Sequence, residues 1–517
     1  TCHKMELNLT EADLNLLKEK GISEATLEKQ LADFRNGFPY LRIVRPASTD
    51  DESILTIDEE TARKALTRWE KYLADGGEVL KFVPASGAAS RMFKELFAFV
   101  NSTEAIPAPG SDVEQLLANI HKFAFFSDLS EAVGRLHGKT VDELLAENRH
   151  KDVVAAIILP EGLNYGALPK ALLKFHCYPA GDATAMEEQL REAAEMAMNA
   201  NGVVNVHFTV SANHRQLFNE KLGQAIPQIE KETGANFVVG LSEQKPSTDT
   251  IAVTPGNDLF RDSEGRLVFR PGGHGALIEN LNDIDSAVVF IKNIDNIANS
   301  ALREKSVEYK KILGGCLIVV HDTILRHINA LSNNPDSEAI ANATAMVNTM
   351  VSDCKALQQA QTPQEKTKVL LEILDRPLRV CGMVRNEGEP GGGPYLAADS
   401  GNTVVSCQIL ESSQIDLSKP ENAEMMKQST HFNPVDLACY IKRPDGSRYN
   451  LPDYVDHATG FISSKSLEGR ELRALELPGL WNGAMSKWNT VFIEVPAFTF
   501  TPAKTVNDLL RPAHQPA

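Results

Sequence analysis

What this sequence lacks narrows it first. No stretch approaches the run of about eighteen apolar residues that a membrane helix needs. The opening TCHKMELNL has none of the apolar core of a secretory signal. The seven cysteines, at positions 2, 177, 316, 354, 381, 407 and 439, are widely spaced, odd in number and contain no CxxC pair. That suits a reducing cytoplasm better than a disulfide framework. A net charge of −17, with no basic stripe carrying interleaved aromatics, argues against a nucleic-acid surface. GxSxG, Walker A and full GxGxxG sequences are absent too. His321 and His327 fall on different faces of a helix, so they make no zinc pair. The expectation is a soluble, cytoplasmic protein that binds neither nucleic acid nor membrane.

What is present is ordinary in bulk: 43% hydrophobic and 23% charged over 517 residues, enough for two or three domains or one large core with insertions. Residues 1–75 read as a helical extension, with Thr10 and Ser23 as N-caps and Gly21 as a stop. From 76 to 380 the pattern is that of an α/β core. EVLKFVPASG is a strand entering a glycine turn, and RMFKELFAFV is the helix after it. Residues 101–150 look like a polar, helical insertion, after which VVAAIILP returns to apolar sequence. Thr184 and Glu187 form a capping box. VVNVHFTV and ANFVVGL are further strands, and AVVFI before KNIDN is a buried one. A helical region follows at 300–376, and a glycine-rich, strand-containing part fills 381–517.

The loops of this core carry the chemistry. In PASGAASRMFK, Gly87 frees the backbone, Ser90 offers a hydroxyl, and Arg91 stands where a helix start favours an anion; a plain strand-to-helix turn has the same look. Lys170, directly after Pro169, is a charge on a rigid loop, or one more surface lysine. The polar side chains of SEQKPSTDT suit the edge of a nucleobase or sugar, or belong to a bland loop. Gly272, Gly273 and Gly275 around His274 each forfeit chain entropy, which suggests close approach of backbone to a ligand. Asp295, at the end of the AVVFI strand, is placed for a divalent metal or as a strand-end cap.

Taken in order, these pieces resemble the UDP-sugar pyrophosphorylases, the UTP–glucose-1-phosphate and UDP-N-acetylhexosamine branch of the sugar nucleotidyltransferases. The resemblance rests on PASGAASRM, LPKALL, PGGHGAL and VVFIKNIDN in that family's order. CQILESSQID and FIEVPAFTFTPAKTVNDLL add similar C-terminal segments. The chain as a whole is also similar to an uncharacterised bacterial family of about this length, of Bacteroidetes type.

The resemblance implies a Rossmann-like α/β fold of the nucleotide-diphospho-sugar transferase kind, with a central mixed, mostly parallel sheet. It implies an Mg²⁺-dependent transfer in which UTP and a sugar 1-phosphate give a UDP-sugar and pyrophosphate. Gly87, Ala88, Ser90, Arg91 and Lys170 would hold the triphosphate, and Lys504 would reach the sugar phosphate and α-phosphate. Gln244, Gly273 and His274 would lie near base or ribose. Asp295 would ligate the metal, and Asn293, Glu411 and Gln414 would bind sugar. Three departures stand out. Ala88-Ala89 replace a further glycine, the turn reads GHGA rather than GHGD, and a long insertion separating the first loop from Lys170 is expected to fold out of the way. A non-catalytic nucleotide- or sugar-nucleotide-binding relative is the alternative, and a metal-dependent glycosyltransferase another.

Overall fold

Four apolar segments build one sheet. The computed structural model describes residues 7–516, so Cys2 and most of the TCHKMELNL segment lie outside the described residues. EVLKFVPASG yields β1 (Val79–Pro84), VVNVHFTV yields β2 (Val203–Thr209), ANFVVGL yields β3 (Asn236–Ser242) and AVVFI yields β4 (Val288–Lys292). They lie side by side in the order β4-β1-β2-β3, every pair parallel. Each residue of β4 is buried, as a continuous apolar run should be when both faces of a parallel sheet are covered. These strands belong to a compact unit made of Ala62–Glu243, Val288–Gly315 and Val495–Ala517.

The helices of this parallel-sheet unit follow their caps. After β1 comes a short 3₁₀ turn, Ala89–Arg91, and α1 (Lys94–Asn101) opens only at Lys94. Arg91 therefore does not stand at the start of an α-helix: Ala88 and Phe93, at the two N-cap positions, supply no capping oxygen. Thr184 and Glu187 do form a capping box for α2 (Ala185–Ala197). Between β2 and β3, α3 (Arg215–Thr233) ends on Gly234 in the left-handed conformation.

The segment at 101–150 is helical and leaves the first loop free to meet the Lys170 turn, but it packs into the core rather than standing apart from it. Its helices, and the one carrying VVAAII (His150–Ile158), send Val113, Leu116, Leu129, Val133, Leu144 and Val153 into the same core as Val83, Val206 and Phe208. Each short helix has an apolar stripe that a solvated excursion would have left in water.

Beneath the sheet, charge is buried as well. Lys81 on β1 and Lys292 on β4 both reach Glu192 of α2, at 3.0 Å and 2.8 Å, with the three side chains 0%, 4% and 1% exposed. In the parallel register Lys81 faces Phe290, so Lys81 and Lys292 project to the same side. Burial alone would raise the Glu192 pKa; the ammoniums of Lys292, Lys81 and Lys310 overcome it and hold the carboxyl well below its ordinary 4.5. One turn earlier, Glu188 accepts from Tyr178 and pairs with His176, whose other nitrogen meets His514 at 2.7 Å.

A second compact unit comprises the chain up to Thr61, Gln244–Ala287 and Cys316–Glu494. The units cut across the boundaries expected near 75 and 380. Thr10 and Ser23 cap helices, and Gly21 stops the first, yet strand Ile43–Pro46 interrupts the N-terminal helices. In this mixed-sheet unit, β5 (Leu378–Arg385) is parallel to Asn489–Glu494 and antiparallel to Asp436–Tyr440. A separate antiparallel sheet orders Ile43–Pro46, β6 (Gly393–Ala398), β7 (Val404–Leu410) and Val351–Cys354. The last of these interrupts the helical stretch at 300–376. A hairpin pairs β8 (Phe461–Leu467) with β9 (Arg470–Glu476). No helix among the described residues is long and apolar enough to cross a membrane.

Glu192→Gln leaves two buried ammoniums without their counter-charge and is expected to cost about 3–5 kcal/mol in urea unfolding. Because the folded state lowers the Glu192 pKa, its contribution is complete above pH 4.5 and fades as pH falls below that value. The wild type should therefore lose stability more steeply than Glu192→Gln on acidification.

Candidate functional site

In the parallel-sheet unit, the loop after β1, the Pro169-Lys170 turn, the turn after β4 and the C-terminal segment are tied to one another. The loop and the lysine turn pair as two short strands would: Ala88 bridges Pro169, Ala89 N–H donates to the Leu168 carbonyl at 3.0 Å, and Lys170 N–H donates to Gly87 at 3.3 Å. The Lys170 ammonium then donates to Asp295 Oδ2 at 3.0 Å and to the Ala503 carbonyl at 3.1 Å. Ala503 N–H returns to the Asp295 carbonyl at 3.2 Å, and Val506 N–H reaches Met92 at 3.3 Å. Loops at the carboxyl ends of parallel strands are where open α/β sheets bind ligands.

This knot brings Gly87, Ala88, Lys170, Asp295 and the segment bearing Lys504 together, with Ser90 and Arg91 on the same loop. Ser90, Arg91 and Lys504 are exposed. The Arg91 guanidinium makes no ion pair or hydrogen bond among the described residues. The Lys504 ammonium makes no ion pair there either and lies 5.9 Å from the Phe500 ring centre. Two exposed cations thus share these loops with a fixed one. Lys170 and Asp295 are each 17% exposed, and Asp295 uses only Oδ2 in its pair.

Sequence reasoning missed the side chain that sets this turn. Gln189 of α2, fully buried, donates through Nε2 to the carbonyls of Ile294 at 3.0 Å and Asn293 at 3.3 Å. It fixes the two successive peptide groups that lead into Asp295. The capping box at Thr184 marked the helix but not the direction of this glutamine.

The remaining residues belong to the mixed-sheet unit. The turn at 272–276 packs on the loop at 477–483. A Cβ on Gly275 would meet the Pro478 carbonyl oxygen at 1.8 Å, and Gly273 holds φ at 79°. Glycine is thus required at 275 by protein backbone. His274 lies flat on Trp481, centroids 4.4 Å apart and planes 13° from parallel. Its Nδ1 accepts from Leu480 N–H at 3.0 Å, which puts the neutral ring's proton on Nε2. Desolvation by the surrounding wall lowers the imidazole pKa below 6.5, although the ring is open to a cleft.

That cleft, about 520 Å³, gathers His274, Glu411 and Gln414. Glu411 and Gln414 also cap each other, Glu411 N–H donating to Gln414 Oε1 at 2.9 Å. Gly273 lies beside it, 3.1 Å from a Cβ position to Glu476 Oε2. Gln244 is not in its lining; its buried Nε2 has no hydrogen-bond partner. Glu476 and Trp481, both in or against the cleft wall, carried no motif that would have marked them.

Asp295 is the only carboxylate in its knot, and no group of three or more His, Cys, Asp or Glu among the described residues is arranged to hold a metal. A single carboxylate oxygen left over does fit Mg²⁺, which takes one or two protein oxygens and completes its shell with phosphate and water. It does not fit a structural metal.

Fold and loops define an α/β protein with cationic loops at the carboxyl edge of a parallel sheet. The chain belongs to the family described as a domain of unknown function, DUF4301, whose model matches residues 10–515. No curated protein matches the sequence. Among solved structures it is similar to the Leishmania major UDP-glucose pyrophosphorylase in complex with UDP-glucose, at 12% identity and a TM-score of 0.44, over 97% of this chain and 79% of that one. It is similar also to the Trypanosoma brucei UDP-glucose phosphorylase, at 12% identity and 0.43, over 96% and 77%. Likeness of this degree carries no information on substrate or activity.

Lys170→Met removes a charge-assisted link of about 1.5–3 kcal/mol. Amide exchange at Ala503 and Val506 should speed up while exchange in β2 and β3 stays unchanged. Gly275→Ala is expected to lower the thermal midpoint, since the added methyl meets backbone and overpacking of this kind costs about 1–3 kcal/mol.

Proposed function

We propose that this protein is an Mg²⁺-dependent sugar-1-phosphate nucleotidyltransferase, joining a nucleoside triphosphate to a sugar 1-phosphate with release of pyrophosphate. The observation that carries the reading is the Lys170–Asp295–Ala503 knot, which joins the loops whose order resembles the UDP-sugar pyrophosphorylases. UTP is favoured through that resemblance alone.

In the proposed reaction a phosphate oxygen of the sugar 1-phosphate forms a bond to the α-phosphorus of the triphosphate. The bond from that phosphorus to the pyrophosphate oxygen breaks in line, leaving sugar nucleotide and pyrophosphate. No covalent nucleophile is needed; positioning and charge neutralisation suffice. Arg91, Lys170 and Lys504 would neutralise phosphate oxygens, with Gly87, Ala88 and Ser90 lining the loop. Asp295 would hold Mg²⁺, which when bound supplies positive charge against the triphosphate. Gln244, with its unmatched buried amide, and Gly273 would serve the nucleoside, and Asn293, Glu411 and Gln414 the sugar. His274, assigned to the nucleoside by resemblance, shares its cleft with the last two. A cytosolic setting goes with this reading, the six described cysteines being unpaired.

One observation favours a second reading, a nucleotide-binding protein without turnover. The lysine that should meet phosphate is already neutralised by Asp295, and catalysis requires that pair to open. Pyrophosphate release from UTP with a panel of sugar 1-phosphates separates the two. Turnover that falls about 10²–10³-fold in Lys170→Ala supports catalysis. Binding of UDP-sugar without turnover favours the second reading, and neither binding nor turnover ends both.

A further inference from the structure

The cleft beside His274 has a chemical character that the loops of the other unit do not share. Among the described residues its lining holds no lysine and no arginine, but it does hold two carboxylates, Glu411 and Glu476. Glu476 closes β9 and is half-buried, and its carboxylate makes no ion pair or hydrogen bond among the described residues. A carboxylate facing a cleft without a counter-charge attracts donors and repels anions. The same cleft holds a fixed donor, the Nε2–H of His274, set by Leu480 N–H on the other nitrogen and by the Trp481 face. Tyr40 and Phe461, 58% and 43% exposed, line the same space. Large aromatic faces left open at a polar cleft suit a ligand with one apolar side and many hydroxyls.

We infer that this cleft takes the sugar moiety and selects it by charge: neutral or amino hexoses are accepted and uronic acids are rejected, with Glu476 as the specificity residue. The inference rests on the sugar-nucleotide reading above and deepens it, naming the class of sugar. Hydroxyls or an ammonium donate to Glu476 and Glu411, while the His274 Nε2–H donates to a ring or hydroxyl oxygen. A sugar carboxylate would enter beside the Glu476 charge, with no lysine or arginine among the described lining residues to pair with.

The test uses the full chain and probes that carry no nucleotide. Methyl α-glucopyranoside, glucosamine and glucuronate are titrated while the indole resonance of Trp481 is followed by NMR, assigned with Trp481→Phe. The neutral and cationic sugars should shift it, and glucuronate should bind at least about tenfold more weakly than the neutral one. Glu476→Gln, which keeps shape and removes charge, should bring glucuronate to within about threefold of the neutral sugar. Glu411→Gln serves as a second variant should the first fail to fold. The inference is overturned if glucuronate binds the wild type as well as the neutral sugar does, if neither substitution narrows the gap, or if no sugar moves Trp481. Binding of UTP with Mg²⁺, measured on the same samples, reports on the broader reading separately. UTP binding without any sugar response defeats the inference alone.

Discussion

One carboxylate, Glu192, organises the parallel-sheet unit. It holds a lysine from each of two adjacent strands, Lys81 and Lys292, with all three side chains buried. A buried pair of this kind contributes little net stability compared with an apolar replacement, but breaking it is expensive. What it supplies is registry. A slip of one residue in either strand would turn its lysine to the other face of the sheet, so β1 and β4 must leave the sheet at fixed points. β1 leads into the loop of Gly87 and Ser90; β4 leads into Asn293 and Asp295. Gln189, from the same helix as Glu192, continues the constraint by holding the two peptide groups that lead into Asp295.

From there the geometry is local. Lys170 links Asp295 to Ala503, which brings the last part of the chain to loops read much earlier. The protein carries a net charge of −17, yet this edge of the sheet presents the Arg91 guanidinium and the Lys504 ammonium without an ion pair among the described residues. An anion drawn here is drawn by a local field against the overall one. The mixed-sheet cleft has the opposite character, with two carboxylates and no cation among its described lining residues. The two sites are suited to chemical groups of opposite electrostatic demand.

Much of this was legible in the sequence where a local rule decides structure. Strands β1 to β4 are apolar runs ended by glycine, proline or polar residues, and the caps at Thr10, Ser23 and Thr184 are set by their own side chains. Lys170 and Asp295 were visible because each follows a structural marker, a proline and a buried strand. Tertiary packing decided the rest. The helices at 101–150 looked polar because each buries only a narrow stripe, and that stripe joins the main core. The glycines at 272–275 suggested a ligand, whereas the Pro478 carbonyl explains Gly275. Gln189, Glu476 and Trp481 gave no signal, since a buried glutamine, a strand-end glutamate and a loop tryptophan are common and only their neighbours give them a role.

The central claim is that the loops joined by Lys170 and Asp295 form a single site for a metal-bound nucleotide. Calorimetric titration of UTP into wild type and Asp295→Asn, each with Mg²⁺ and with chelator, tests it most directly. The account predicts that Mg²⁺ strengthens UTP binding to the wild type by about tenfold or more and that this gain disappears in Asp295→Asn. Equal affinity with and without Mg²⁺, or a gain that survives the substitution, would contradict it.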